Sequence, residues 1–234
     1  MVLDGEKIES LMIGDYKIIQ SENLYRFTSD AVYLSRFAEA RAGDTVADLC
    51  SGSGIVGLHF YALNERKIRS VDLFEIQAPL AEMSLRSVEL NSLSEIFTVH
   101  NVAIQNIDEG LSGKFSLVLC NPPYKKQSSG PVTEQEYIAI CKHEMTVNID
   151  DIADVSERLL KRGGRIALCN KCERLIDVIN AFQSHNLHPS RLKFVSGGEN
   201  AAPYLFMIEA VKDVNRQLKI EKTLVNTAKD FSGN

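Results

Sequence analysis

Short apolar runs alternate with longer amphipathic stretches along this chain from about residue 41 to 211. The runs near 45–50, 70–76, 97–101, 116–120, 164–170, 191–196 and 204–211 have the length and composition of buried strands. Between them, apolar residues recur at helical spacing near 54–64, 78–91, 150–162 and 173–185. This alternation predicts an α/β domain, a seven-stranded and mostly parallel sheet between two helical layers. The helix from Asp150 carries acids in its first turn and Lys161-Arg162 ahead of Gly163-Gly164, as the helix dipole and a C-terminal stop favour. Residues 1–40 read as an extension packed on this core, in which Thr28, Ser29 or Asp30 caps a helix running through Ala40. Tyr25 and Phe27 either pack that extension on the sheet or form a lid over the site. From about Asn215 the apolar periodicity fades, so residues 213–234 are expected to be a frayed or disordered tail behind a core domain of 41–212.

Two strand ends carry chemistry. The strand Thr45 to Cys50 runs into Ser51-Gly52-Ser53-Gly54-Ile55-Val56-Gly57 and then a helix, a strand-to-helix turn in which glycines let the backbone approach a ligand. The next strand places Glu75 near its end, where an acid meets ribose hydroxyls. Asp48, four residues before Gly52, would repel a pyrophosphate but attract a cofactor with a sulfonium and a free ammonium. S-adenosylmethionine has both charges and no phosphate. An ordinary tight turn with a solvated strand-end acid is the alternative reading of these residues.

The run Phe115 to Cys120 is stopped by Asn121-Pro122-Pro123-Tyr124. Two prolines end the ladder and stiffen the backbone. They present a carboxamide, a carbonyl and an aromatic ring at the carboxyl end of a strand, where open α/β sheets bind ligands. The two oxygens can accept both hydrogens of one planar NH2 group, and the ring can stack on a flat base. Taken alone, Pro-Pro is a strand stop and nothing more.

Together, Asp48-Leu49-Cys50-Ser51-Gly52-Ser53-Gly54, Glu75 and Asn121-Pro122-Pro123-Tyr124 resemble the class I S-adenosylmethionine-dependent methyltransferases that act on amino groups. Tyr16 to Gln20 and Tyr25-Arg26-Phe27-Thr28-Ser29-Asp30-Ala31-Val32 are similar to the start of the bacterial tRNA1(Val) adenine N6-methyltransferases. Glu173-Arg174-Leu175 and Glu199-Asn200-Ala201 resemble its Gram-positive branch. The likeness spans roughly residues 14 to 212 and implies a Rossmann-like three-layer sandwich whose sheet ends in an antiparallel pair. It implies transfer of a methyl group to the N6 amine of an adenine in RNA, such as a tRNA anticodon-loop adenosine.

In that reading Asn121 and the Pro122 carbonyl accept the amino hydrogens. Tyr124 stacks on the base, a contact worth about 1–3 kcal/mol. Asp48 faces the cofactor ammonium, Gly52 and Gly54 give backbone contacts, and Glu75 holds the ribose. Where the family has an acid after its third strand, this chain has Ala103, leaving Asn101 to meet the cofactor adenine. Lys125 and Lys126 flank the turn as cations for phosphates of the substrate RNA, and residues 126–131 form a candidate gate. Other readings stay open. A release-factor-type glutamine N5-methylase shares the need to hold a planar NH2, although this chain lacks room for the helical N-terminal domain of those enzymes. DNA adenine methylation is also possible, although no separate target-recognition domain is evident. A nicotinamide oxidoreductase fits the glycines and Glu75, with His100 or His143 as proton donor, and a catalytically silent RNA-binding module is a further option.

The 234-residue length suits one such domain, expected to act as a monomer. No stretch reads as a signal peptide or a membrane span, so a cytoplasmic protein is expected. The net charge of −5 argues mildly against nucleic acid. Its distribution softens that, because eight cations (Arg158, Lys161, Arg162, Arg165, Lys171, Arg174, Arg191, Lys193) face two acids (Glu173, Asp177) between 158 and 193. Of the five cysteines, Cys50, Cys120 and Cys169 are expected to pack as small hydrophobes. Cys169-Asn170-Lys171-Cys172 lacks a second pair, so no metal site is expected.

Overall fold

A computed structural model describes residues 2–21, 29–123 and 147–226. Its centre is a twisted sheet built from β3 (Asp44–Leu49), β4 (Ile68–Glu75), β5 (Phe97–Asn101), β6 (Phe115–Cys120), β7 (Leu160–Lys171), β8 (Leu187–Ser196) and β9 (Pro203–Lys212). The spatial order is β8-β9-β7-β6-β3-β4-β5, with β9 antiparallel to both its neighbours and the rest parallel. These are the seven expected strands, closed by the expected antiparallel strand. Helices α1 (Ser29–Phe37) and α2 (Ile55–Asn64) pack with Leu73, Leu119, Ala167 and Met207 on one face. Helices α4 (Ile149–Leu159) and α5 (Leu175–Ser184) cover Phe74, Val118, Leu168 and Ile208 on the other. Helix α3 (Ala78–Leu90) bridges β4 and β5. Among the described residues, no helix is long and apolar enough to cross a membrane.

Alternation along the strands decides which side chains can meet. Leu73, Val99, Leu119 and Ala167 belong to the α1/α2 face, and Phe74, Val118 and Leu168 to the opposite one. Two residues further along their strands, Glu75, Asn101, Asn121 and Cys169 therefore share the α1/α2 face at the carboxyl ends.

Three features depart from the sequence reading. Helix α4 stops at Leu159, because Leu160 is already fully buried and paired with Phe115, so Lys161-Arg162 belong to the strand. Asn148 and Asp151 form a capping box at its start. Between Asn215 and Asn226 the chain is no frayed helix. It lays two short strands, β10 (Lys219–Ile220) and β11 (Leu224–Val225), parallel to β8. The region before α1 contains a hairpin, β1 (Glu6–Ser10) and β2 (Lys17–Ser21), held on α3 by Ser87, Asn91 and the Arg86–Glu6 ion pair.

Part of the cation-rich stretch is spent on the fold, while Lys161, Arg162 and Lys171 are exposed. Arg165 is buried, donating to Asp44 at 2.9 Å and to the Glu39 carbonyl at 2.7 Å. Arg191 pairs with Glu39, sits 4.5 Å over the Phe37 ring and donates to the Phe37 carbonyl. Arg174 pairs with Asp177. These contacts fasten α1 and α5 rather than offering a continuous basic surface.

Candidate active site

Central position makes Asp48 special. Strand β3 lies between β4 and β6, and α2 covers it, so the carboxyl is completely out of water. Its Oδ2 accepts from the Gly57 amide at 2.9 Å, and its Oδ1 is buried with no hydrogen-bond partner among the described residues. Burial pushes this acid up to about 8, with the Gly57 hydrogen bond opposing and the charge of Glu75 adding. An unsatisfied buried oxygen costs free energy unless something cationic or donating reaches it.

The glycine turn is shaped around that carboxyl. Cys50, Gly52 and Gly54 all adopt left-handed φ, at 57°, 57° and 82°. A Cβ on Gly57 would stand 2.7 Å from Leu73 Cδ2 and 3.2 Å from Asp48 Oδ2, so glycine there lets α2 close on β4 and reach the acid. Glu75 completes the turn from the next strand. Its Oε2 accepts from the Gly52 amide at 2.8 Å and its Oε1 from the Gln77 amide at 2.8 Å. About four lone-pair positions exist on a carboxylate, so two such bonds leave acceptor capacity. Asn101 donates from Nδ2 to the carbonyls of Glu75 and Ile76, both at 2.9 Å. The structure thus brings Asp48, Gly52, Gly54, Glu75 and Asn101 into one interlocked cluster.

Sequence reasoning missed Gln20. This buried side chain of β2 donates to Ser53 Oγ at 2.8 Å, tying the N-terminal hairpin to the glycine turn. Its only sequence signal is its place at the end of the Tyr16 to Gln20 segment.

Asn121 leaves β6 half-buried, beside the buried Pro122. Its Oδ1 accepts from Cys169 Sγ at 3.3 Å, and Cys169 is fully buried in β7. Cys169 is therefore more than a small hydrophobe: its thiol sets which end of the carboxamide faces β7. Cys120 is buried on the opposite face, where burial and a hydrogen bond with Cys50 push its thiol well up. Cys50, Cys120, Cys169 and Cys172 are all free thiols. Among the described residues, no group of three or more His, Cys, Asp or Glu side chains could hold a metal.

Tyr124, Lys125 and Lys126 lie outside the described residues, as do Tyr25, Phe27, Thr28, His143 and the candidate gate at 126–131. His100 stacks on Phe74 and pairs with Asp72 at 2.7 Å, on the face opposite Glu75 and Asn101. That position removes it as a proton donor for chemistry at the glycine turn.

Comparison with known proteins places this geometry. The family model for the methyltransferase small domain matches residues 28–168. A Shewanella sp. protein named tRNA1(Val) (adenine(37)-N6)-methyltransferase is 24% identical over 229 residues, covering 88% of this chain and 86% of that one. A protein of the same name from Trichodesmium erythraeum is 21% identical over 159 residues, covering 68% of this chain. The chain spans 66% of the Trichodesmium protein's length. The expected placement in the Gram-positive branch gains no support from these relatives. Among solved structures, a predicted O-methyltransferase from Agrobacterium tumefaciens matches with TM-score 0.65 at 21% identity, covering 84% of this chain and 86% of that one. Geranyl diphosphate methyltransferase in complex with SAM matches with TM-score 0.58 at 14% identity, covering 79% and 84%. At such identities the likeness shows the fold.

Proposed function

The chain belongs to the methyltransferase small domain family and has the class I methyltransferase fold, and on that footing we propose that it methylates the N6 amine of an adenine in RNA, with tRNA as the substrate and S-adenosylmethionine as the methyl donor. The observation that carries this reading is Asn121. A carboxamide followed by a buried proline leaves the strand beside β3, on the same face as Asp48 and Glu75. The names of the Shewanella and Trichodesmium relatives support adenine in tRNA as the target.

The residues present fit the donor. Asp48 Oδ1, buried without a partner among the described residues, suits an ammonium; the remaining acceptor positions of Glu75 suit two ribose hydroxyls; Gly52 leaves the turn open to close approach, while a Cβ on Gly54 would meet Leu73 and Ser84. The Asn101 amide has its donors on two carbonyls, and its oxygen is the acceptor that an adenine amine requires. When bound, S-adenosylmethionine supplies a methyl group already activated by the positive sulfur.

What remains for the chain is orientation. An aromatic amine is a weak nucleophile because its lone pair is delocalised into the ring. Asn121 Oδ1 and the Pro122 carbonyl each accept one amino hydrogen. Held that way, the nitrogen becomes pyramidal and its lone pair leaves the ring plane. The carboxamide oxygen has two lone pairs, so the Cys169 thiol and the substrate amine can share it. Tyr124, three residues after Asn121, takes the stacking role, and Lys125 and Lys126 take flanking phosphates. The amino proton leaves to water after transfer, without a general base. An adenine must be unstacked to reach this turn, as loop nucleotides are.

The test is radiolabelled methyl transfer to total tRNA from a strain lacking the gene, with the Asn121→Ala variant as control. Label in N6-methyladenosine that disappears in the variant is expected. Label in a protein fraction instead of RNA would move the substrate to a glutamine amide.

A further inference from the structure

We infer that the recess between α1, β8, β9 and β11 is a phosphate-binding subsite for a nucleotide adjoining the target adenine; this rests on the RNA reading above. The recess has a volume of about 120 Å³ and is lined by Tyr33, Arg36, Phe37, Lys193, Met207 and Leu224.

Register places it next to the methyl-transfer turn. Asn121 touches Cys169, Cys169 is the β-partner of Met207, and Met207 is the β-partner of Lys193. All lie on the α1/α2 face. Met207 thus stands two strand spacings from the β6 end and Lys193 three, about 10 and 14 Å. A strand of RNA with one base seated at Asn121 has its neighbouring phosphates within that reach.

The lining chemistry selects the ligand. Two of the six lining side chains are cations and none is an acid. Arg36 is exposed and makes no ion pair among the described residues. Lys193 has Glu221 Oε2 at 3.4 Å, and that carboxylate also lies 3.7 Å from Arg191, so Lys193 shares its counter-ion with a second cation. Phe37 already carries the Arg191 guanidinium on its ring, which leaves Met207 and Leu224 as the apolar wall. Such a mixture holds a phosphate and the sugar beside it without reading the base. The wall is firm because β11 pairs with Val195 and Ser196, and the Asn226 amide donates to the Ser196 carbonyl at 2.8 Å. The chain carries a net −5, so local cations are what RNA can use.

The decisive experiment measures tRNA binding by fluorescence anisotropy over a salt series, for the full chain and for Arg36→Glu/Lys193→Glu, with S-adenosylmethionine affinity measured by calorimetry. In the double variant, RNA affinity is expected to fall about tenfold or more. The slope of log affinity against log salt should drop by about 2, one for each cation. Cofactor affinity should stay as it was. Unchanged RNA affinity and slope, in a wild-type protein that methylates RNA, overturn the subsite and leave the proposed function standing. A wild-type chain that neither binds nor methylates RNA overturns both. If the double variant does not fold, Arg36→Glu alone carries the test: its side chain is exposed on α1, and a slope change of about 1 is expected.

Discussion

The two halves of the site are held together differently. On the β3–β5 side, neighbours close along the chain hold most of the glycine turn: Asp48 Oδ2 accepts from Gly57, Glu75 accepts from Gly52 and Gln77, and Asn101 donates to the end of β4, while Asp48 Oδ1 has no partner among the described residues. On the β6–β9 side, the pieces come from positions 36, 121, 169, 193, 207 and 224, and they meet through strand register and a single thiol contact. The first half is preorganised for one invariant small molecule. The second is assembled across the sheet and, under the proposed function, receives the RNA.

That contrast is broken most sharply at Asn121. Asn121→Ala should lower the rate of methyl transfer by about 10²-fold or more, because orientation of the amine is lost. Affinity for S-adenosylmethionine, measured by calorimetry, should hardly move. An equal loss in both would place Asn121 in the cofactor half instead.

Glu75→Gln should do the opposite. It puts an amide hydrogen pair against the Gly52 or Gln77 amide and loses a charged acceptor for the ribose. Hydrogen bonds to charged groups contribute about 1.5–3 kcal/mol, so cofactor affinity should weaken by about 10–100-fold. At saturating cofactor, the rate should recover most of its wild-type value.

Asp48 sharpens the comparison through pH. Its carboxyl is held up to about 8 when folded and titrates at the ordinary carboxylate value when unfolded. The folded chain therefore binds the extra proton between those values, and stability declines as pH rises through that window, levelling off above about 8. Asp48→Asn keeps the acceptor for Gly57 and cannot ionise, so its melting temperature should exceed that of the wild type at pH 8 and vary less with pH. In the wild type, a cationic ligand favours the ionised acid, so affinity for S-adenosylmethionine should rise as pH approaches 8, with proton release. The variant should bind more weakly and without that pH dependence. A wild-type affinity that falls over the same range would contradict the ammonium role.

The smallest effect belongs to Cys169. Cys169→Ala removes one neutral hydrogen bond of about 0.5–1.5 kcal/mol, which converts to a fall of about 2–10-fold in kcat at unchanged KM for the cofactor. Cys169→Ser restores a donor and should recover most of the rate. A loss that serine does not relieve would assign the residue to packing alone.

Most of the cofactor half could be read along the chain, because its parts are contiguous. The turn from Asp48 to Gly57 and the acid at Glu75 fall within one βαβ unit, where spacing along the chain is nearly spacing in space. The seven main strands were legible for a similar reason: buried parallel strands are short apolar runs between punctuating residues. Helix α4 ended earlier than its pattern because Leu160 had a better partner in the sheet, a tertiary override of local signals. The two-residue strands after Asn215 carry no periodicity at all, and exist because the β8 edge supplies their hydrogen bonds.

By itself, then, the sequence determined the α/β architecture, the glycine turn with Asp48 and Glu75, and the carboxamide-proline stop at Asn121. These depend on backbone rules and on residues close together along the chain. Only the tertiary structure decided that Arg165, Arg174 and Arg191 of the cation-rich stretch pair with Asp44, Asp177 and Glu39. It alone decided that Gln20 braces the glycine turn, that Cys169 orients Asn121, and that Arg36 and Lys193 share one recess. The physical reason is the same in each case. Ion pairs and side-chain hydrogen bonds form between neighbours in space, and sheet order and register, which no local pattern encodes, choose those neighbours.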